Sequence, residues 1–330
     1  MTRFVRGLAL FVVAAVVLAI AWLGHSAPVH AAWPDKPVRI VVPWSAGAIT
    51  DALGRLLAQE YSKALGQQFV VENRPGAAGN IGAEAVANAR PDGYTLLLTN
   101  PGAFVTNHFL YKTMPFAPND FDVIVVVAKF PNALIVNKDV PANSVKELID
   151  YAKANPGKLN GASAGIGTSG HLSLELLKNM AKVDIVHVPY QGAAPARFDL
   201  AAGRVQLVVD NIPSYVASVT DGSAKLLGVG TRERLEDFPN VPTIEEAGGL
   251  PGFQAIVWYA LAAPKGTPVE ILDTLNRVTN EVMARPDFLK QLKNLHAIPV
   301  GGSRTDATNF IKDETARWKA VITAAGVQAQ

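Results

Sequence analysis

The chain has 330 residues, with 30 Lys and Arg against 28 Asp and Glu and no cysteine. This length makes one large domain or two. The missing cysteine removes disulfides, thiolate metal sites, cysteine-linked lipid anchors and cysteine nucleophiles. Without Arg3 and Arg6 the signs balance (30 − 2 = 28 against 28), so no basic stripe favours nucleic acid as a partner, and any pull on an anion must be local.

In chain order, Arg3 and Arg6 precede an apolar run from Leu8 to Leu23, and Val29-His30-Ala31 follows as a small-residue cleavage pattern. This predicts a signal peptide over 1–31, cut after Ala31, and a periplasmic mature protein. The sixteen-residue run falls short of the roughly 20 residues that span a bilayer, which argues against a retained anchor. The two arginines are not adjacent, unlike a twin-arginine signal.

Next comes Val38 to Val42, a buried-strand pattern that stops at Pro43, turns through Trp44-Ser45-Ala46-Gly47-Ala48-Ile49, and enters an amphipathic segment from Thr50 to Leu65. Thr50 or Asp51 is the expected cap. Such a turn aims unpaired N–H groups and the positive end of a helix dipole at one spot, which suits an anion. The turn has no Lys, Arg, His or Cys, so it is suited to holding a carboxylate and not to reacting with one. The same residues would also serve as an ordinary strand-to-helix turn.

Further short strands are predicted at 69–71, 95–99, 123–127, 133–136, 158–162, 184–188, 205–209, 226–229 and 255–261. Helices are predicted at 144–152, 172–180, 269–283 and 307–325, the first opening on the capping-box pattern Ser144 to Glu147. Alternation of the two gives an α/β fold with mainly parallel sheets. Pro- and Gly-punctuated stretches at 129–140 and 248–262 read as two crossings between lobes. One lobe would then contain 32–130 plus 256–330, the other 131–255, with a hinge and a cleft between them.

Three more loops are candidates. Asn100 and Ala103 follow the 95–99 strand, and Asp210 and Asn211 follow the 205–209 strand; strand ends of this kind hold ligands in open α/β sheets. Between them, Ser163-Ala164-Gly165-Ile166-Gly167-Thr168-Ser169-Gly170-His171 contains a literal G-x-G-x-x-G. The dinucleotide reading needs an acid about 20 residues on at a strand end. Asp184 comes too early and at a strand start, so a second carboxylate cradle is the better reading. No G-x-S-x-G, P-loop or metal-type histidine spacing is present, and no cofactor is expected. An exported hydrolase using a serine near 163–169, with His171, is the alternative from another class. A ligand-binding sensor that signals to a membrane kinase is a third.

The motifs then add up to a resemblance. Trp33-Pro34-Asp35-Lys36-Pro37, the Val-Pro-Trp loop with Asp51, Glu72-Asn73-Arg74-Pro75-Gly76, Ala77 to Gly82, Pro91-Asp92-Gly93-Tyr94, Val188-Pro189-Tyr190-Gln191-Gly192, Asp210-Asn211, Val241-Pro242-Thr243 and Ala263 to Pro268 all match. Across the mature chain they resemble the Bug-type substrate-binding receptors of tripartite tricarboxylate transporters. The resemblance implies a two-lobed Venus-flytrap fold that closes on a small organic carboxylate and delivers it to a two-subunit membrane permease. It also implies that loops 44–51 and 163–169 grip the carboxylates. Where the family usually has Phe and Gly-Gly, this chain has Trp44 and Gly47-Ala48. A Cβ at Ala48 would disfavour a positive φ there, and Trp44 and Ile49 tilt the expected ligand toward an apolar or aromatic body.

Overall fold

β1 (Val38–Val42) is the apolar run ahead of the first loop, and it is buried because both of its flanks are covered. It pairs in parallel with β2 (Phe69–Asn73) and with β3 (Thr95–Thr99). The helix α1 (Ile49–Leu65) returns the chain from β1 to β2, and α2 (Asn80–Ala87) returns it from β2 to β3. The computed structural model describes residues 33–328, so the expected signal peptide over 1–31 lies outside the described residues. Among the described residues no helix is long and apolar enough to cross a membrane.

β4 (Phe121–Asn137) is a single strand of 17 residues, where the sequence predicts two. Its first part, to Pro131, pairs antiparallel with β9 (Ile256–Pro264); its last part, from Asn132, pairs antiparallel with β7 (Leu207–Asn211) and β8 (Ala224–Val229). Pro131 lacks an N–H and sits where the strand changes partners; the register shifts against β9 come earlier, at Val123/Val125 and Val126/Ala128. The second set of strands is completed by β5 (Leu159–Ser163), parallel to β6 (Ile185–Pro189) and to β7.

The two-lobed α/β fold is therefore present, but the sheets are mixed and not mainly parallel. Three strands in each lobe are parallel. The crossing strands β4 and β9, with the short β10 (Ile298–Pro299), add the antiparallel pairings.

Near-continuous hydrophobicity in the strands has a plain cause. Leu134, Val136, Leu207 and Val209 face one buried cluster, while Ala133, Ile135 and Val208 face another. Successive strand side chains point to opposite faces, and helices cover both. In the first lobe, Phe104, Trp258 and Trp318 anchor the core, and Glu314 accepts hydrogen bonds from both indole N–H groups, at 3.0 and 3.1 Å.

The remaining helices of nine residues or more are α3 (Val145–Ala154), α4 (Ser169–Ala181), α5 (Ala193–Ala201), α6 (Ile212–Thr220), α7 (Val269–Met283), α8 (Pro286–Asn294) and α9 (Arg304–Ala325). Ser144 caps α3 as the sequence predicts, accepting from Glu147 N–H at 3.1 Å. The helices α2, α5, α6 and α8 are not anticipated. They are only 8 or 9 residues long, too short to establish a clear period.

Candidate functional site

The first loop leaves its helix start uncapped. Ala48 is the N-cap (φ −72°, ψ 163°) and its methyl accepts nothing. Thr50 and Asp51 lie inside the first turn, so neither is the N-cap the sequence suggests. Asp51 instead reaches back: its Oδ2 accepts from Gly47 N–H at 2.9 Å and from Arg55 Nε at 3.0 Å, and its Oδ1 accepts from Asn73 Nδ2 at 3.0 Å. Burial pushes the Asp51 carboxyl up, but the bonds from Arg55, Gly47 and Asn73 outweigh it and hold the group below its ordinary range. Its charge serves the loop. The N–H groups of Ser45, Ala46, Ile49 and Thr50 have no acceptor among the described residues. Gly47 carries the left-handed turn (φ 84°), so the Cβ of Ala48 costs the loop nothing.

The second loop is closed by side chains. Thr168 is the N-cap of α4; its hydroxyl donates to Gly165 O at 2.8 Å and accepts from His171 N–H at 3.4 Å. Gly167 N–H donates to His171 Nδ1 at 3.0 Å, and Ser163 Oγ lies 2.7 Å from His187 Nε2. The rings of His171 and His187 stack at 3.8 Å and 7°. Burial, then the neighbouring His187 and Lys178, push His171 down to about 3. Burial, then Lys178, push His187 down to about 4. The G-x-G-x-x-G has a structural reason at each glycine. Gly165 and Gly167 carry φ of 141° and 78°, and a Cβ on Gly170 would lie 2.8 Å from Asp210 Cγ.

Between the loops lies a cavity of about 30 Å³, room for one or two waters. Trp44, Asn100, Gly167, Thr168 and Ser169 line it, so five of the expected residues meet there. The lobes are close: a Cβ on Gly167 would lie 2.6 Å from Leu110 Cδ1, and Leu172 from α4 is buried with Phe104, Trp258 and Trp318. Ser45 and Ala46 are exposed on the same first loop, Ala48 and Ile49 are half-buried, and Thr50 is buried behind them. Ala103 is buried one turn behind Asn100, and Ser163 and Ala164 underlie the second loop. Asp210 is buried against Gly170. Burial pushes its carboxyl up to about 6, against the lowering effect of bonds from Asn211 and Tyr215.

Sequence reasoning does not single out Thr106, Asn107, Leu172 or Trp318 in the wall. Asn107 donates to Asn80 Oδ1 at 2.6 Å and to Ala78 O at 3.1 Å, a pairing that becomes visible only once the two segments are folded together. Trp44 Nε1 is a buried donor with no partner. No lining residue is ionisable. The wall can bind and orient a solute through neutral donors, but it holds no acid, base or charged nucleophile. Among the described residues no group of His, Asp or Glu could hold a metal ion.

Comparison with known proteins places this geometry. The family model TctC, tripartite tricarboxylate transporter family receptor, matches residues 53–327. BugT of Bordetella pertussis is 35% identical over 94% of this chain and 95% of its own. The solved structure of Rpa4515 from R. palustris with adipate is 40% identical, with a TM-score of 0.83 over 90% of this chain and 99% of that one. MatC (Rpa3494) from Rhodopseudomonas palustris with bound malate is 32% identical, with a TM-score of 0.78 over 88% of this chain and 100% of that one. With the two-lobed fold and the paired loops, these matches show that the chain belongs to the tripartite tricarboxylate transporter receptor family, as a Bug-type solute-binding receptor.

Proposed function

We propose that this protein is a periplasmic receptor that captures a small organic dicarboxylate between its lobes and hands it to a two-subunit membrane permease. The observation that carries the reading is the cavity wall: the indole of Trp44 from the first loop, the helix start Gly167 to Ser169 of the second, the hydroxyls of Thr106, Thr168 and Ser169 and the amides of Asn100 and Asn107, with no ionisable side chain. Such a wall stabilises carboxylate charge by oriented dipoles. Neighbours that hold adipate and malate support the ligand class. The lobes would be 32–130 plus 256–330 and 131–255. Support for that division comes from the partner change of β4 at Pro131/Asn132, where Asn132 N–H donates to Ala255 O at 3.0 Å. The full set of ligand residues, Trp44 to Asp51 without Gly47, Asn100, Ala103, Ser163, Ala164, Gly167, Thr168, Ser169, Asp210 and Asn211, would act in part by shaping these two loops. Trp44 offers an indole face and a free N–H, which suits a ligand with an apolar middle and a polar end.

Ser163 beside His187 is the one arrangement a hydrolase would share. Ser163 is fully buried, however, and no substrate carbonyl can approach its Oγ. Thermal-shift screening of the mature protein against a broad carboxylate library tests the receptor reading. Stabilisation by linear diacids is expected. No stabilisation by any carboxylate, or ester turnover that disappears in Ser163→Ala, would overturn it.

A further inference from the structure

A buried histidine and a half-buried one stack beneath the second loop, and neither belongs to the cavity wall. His171 sits in the first turn of α4 and His187 on β6. The register of β5 and β6 sets Gly161 opposite His187, and the two rings lie 3.8 Å apart. With Nδ1 accepting from Gly167 N–H, His171 must carry its proton on Nε2, which faces the Glu175 carboxylate at 3.9 Å. Glu175 is itself paired with Lys178 at 2.6 Å. Two stacked rings cannot both charge at this distance in a buried site, and burial already disfavours the first proton.

The hydrogen bonds around the loop show what this arrangement does. The N–H of Gly167 is taken by His171 Nδ1, that of Thr168 by Gly165 O, that of His171 by Thr168 Oγ1 and that of Leu172 by Thr168 O. Those of Ser169 and Gly170 have no acceptor among the described residues, and Ser169 lines the cavity. Gly167 holds φ 78° while its Cα abuts Leu110 of the other lobe. The acceptor that fixes Gly167 therefore fixes both the free donors at this helix start and the surface that meets the first lobe.

We infer that His171 is the positioning residue of the second loop: its neutral ring, backed by His187, takes the Gly167 N–H and so aims the N–H groups of Ser169 and Gly170 at the ligand. His171 does not touch the ligand. The ring works only as an acceptor at Nδ1, so a flat apolar ring that preserves the stack cannot replace it. An asparagine, whose Oδ1 falls near the Nδ1 position, can.

This inference rests on the carboxylate-receptor reading for its effect on binding, but one arm of the test is ligand-free. In the unliganded wild-type protein, ¹⁵N spectra of the histidines should show His171 with a bare Nδ1 and a protonated Nε2. It should stay neutral from about pH 7.5 to about pH 5, across the range where an ordinary histidine charges. Amide exchange at Gly167 should be slow in the wild type, fast in His171→Phe and slow again in His171→Asn. In calorimetric titration with adipate, His171→Phe should weaken binding about tenfold, the order of one lost hydrogen bond. His171→Asn should recover most of that, with the melting temperature of both variants recorded alongside. A proton on Nδ1, unchanged Gly167 exchange in His171→Phe, or no recovery in His171→Asn overturns the inference. If the wild type binds no carboxylate at all, the receptor reading fails, while the spectra and exchange still decide the role of His171.

Discussion

The two cleft loops have the same plan and opposite finishes. Each runs from a buried parallel strand through glycine into a helix start. At the first, the N-cap is Ala48, the helix donors stay open, and Asp51 is turned back into the loop toward Gly47, Arg55 and Asn73. At the second, Thr168 and His171 take up most of the donors and leave those of Ser169 and Gly170. The difference teaches that a helix start can keep N–H donors open either by omitting a cap or by choosing which donors the cap covers. The first loop is held by a charge that does not titrate near neutrality. The second is held by rings that must remain uncharged.

That contrast predicts opposite responses to acid, and this is the largest expected effect. In the native state His171 and His187 stay neutral down to about 3 and about 4, while the unfolded chain takes up their protons near the ordinary histidine value. Their contribution to stability is therefore full above about pH 6.5 and falls on acidification, at about 1.4 kcal/mol per pH unit for each proton. Asp210 works the other way. Its native value of about 6 lies above its unfolded one, so acidification from about pH 6 restores stability. Two groups against one leave a net loss. Urea unfolding at about pH 7 and about pH 5 should show the wild type losing stability, and a His171→Phe/His187→Phe chain losing far less.

Next in size is Asp51→Ala. It strands the Gly47 N–H, takes from the Asn73 amide one of its two acceptors (Trp44 O is the other) and removes the Arg55 ion pair. A loss of about 2–3 kcal/mol in urea unfolding is expected, as for hydrogen bonds to a charged group. A change within about 0.5 kcal/mol, the usual range for surface substitutions, would mean that the first loop is not held by its carboxylate.

Gly167→Ala and Gly47→Ala sharpen the contrast further. Both residues have positive φ, but a Cβ on Gly167 meets Leu110 of the other lobe at 2.6 Å, and a Cβ on Gly47 meets nothing within 4 Å. Gly167→Ala should lower ligand affinity by roughly tenfold through overpacking of the closed state, measured by calorimetry. Gly47→Ala should cost about 1 kcal/mol of backbone strain and change affinity less.

Much of this was legible in the sequence because it is local. The run Val38 to Val42, the glycines at 47, 165 and 167 and the hydroxyls of Thr168 and Ser169 follow from strand, turn and cap chemistry. Five of the expected ligand residues meet at the cavity. What was not legible depends on distant pairings. That β4 is one strand depends on β9, β7 and β8 lying beside its two parts. The partner of Ser163 is His187 and not His171, because β6 lies beside β5. Asp51 reads as a cap from its position, yet the folded loop uses its carboxylate as an N3 group reaching backwards.

The central claim, that the two loops hold a carboxylate through neutral donors, is most directly tested by calorimetry with a matched pair of ligands. The mature protein is titrated with adipate and with adipamide, which has the same carbon chain and no charge. Heat and saturation are expected with the diacid, and at least about a hundredfold weaker binding of the diamide, as two unmatched charge-assisted sites require. Equal binding of the two, or binding of the diamide alone, would contradict it.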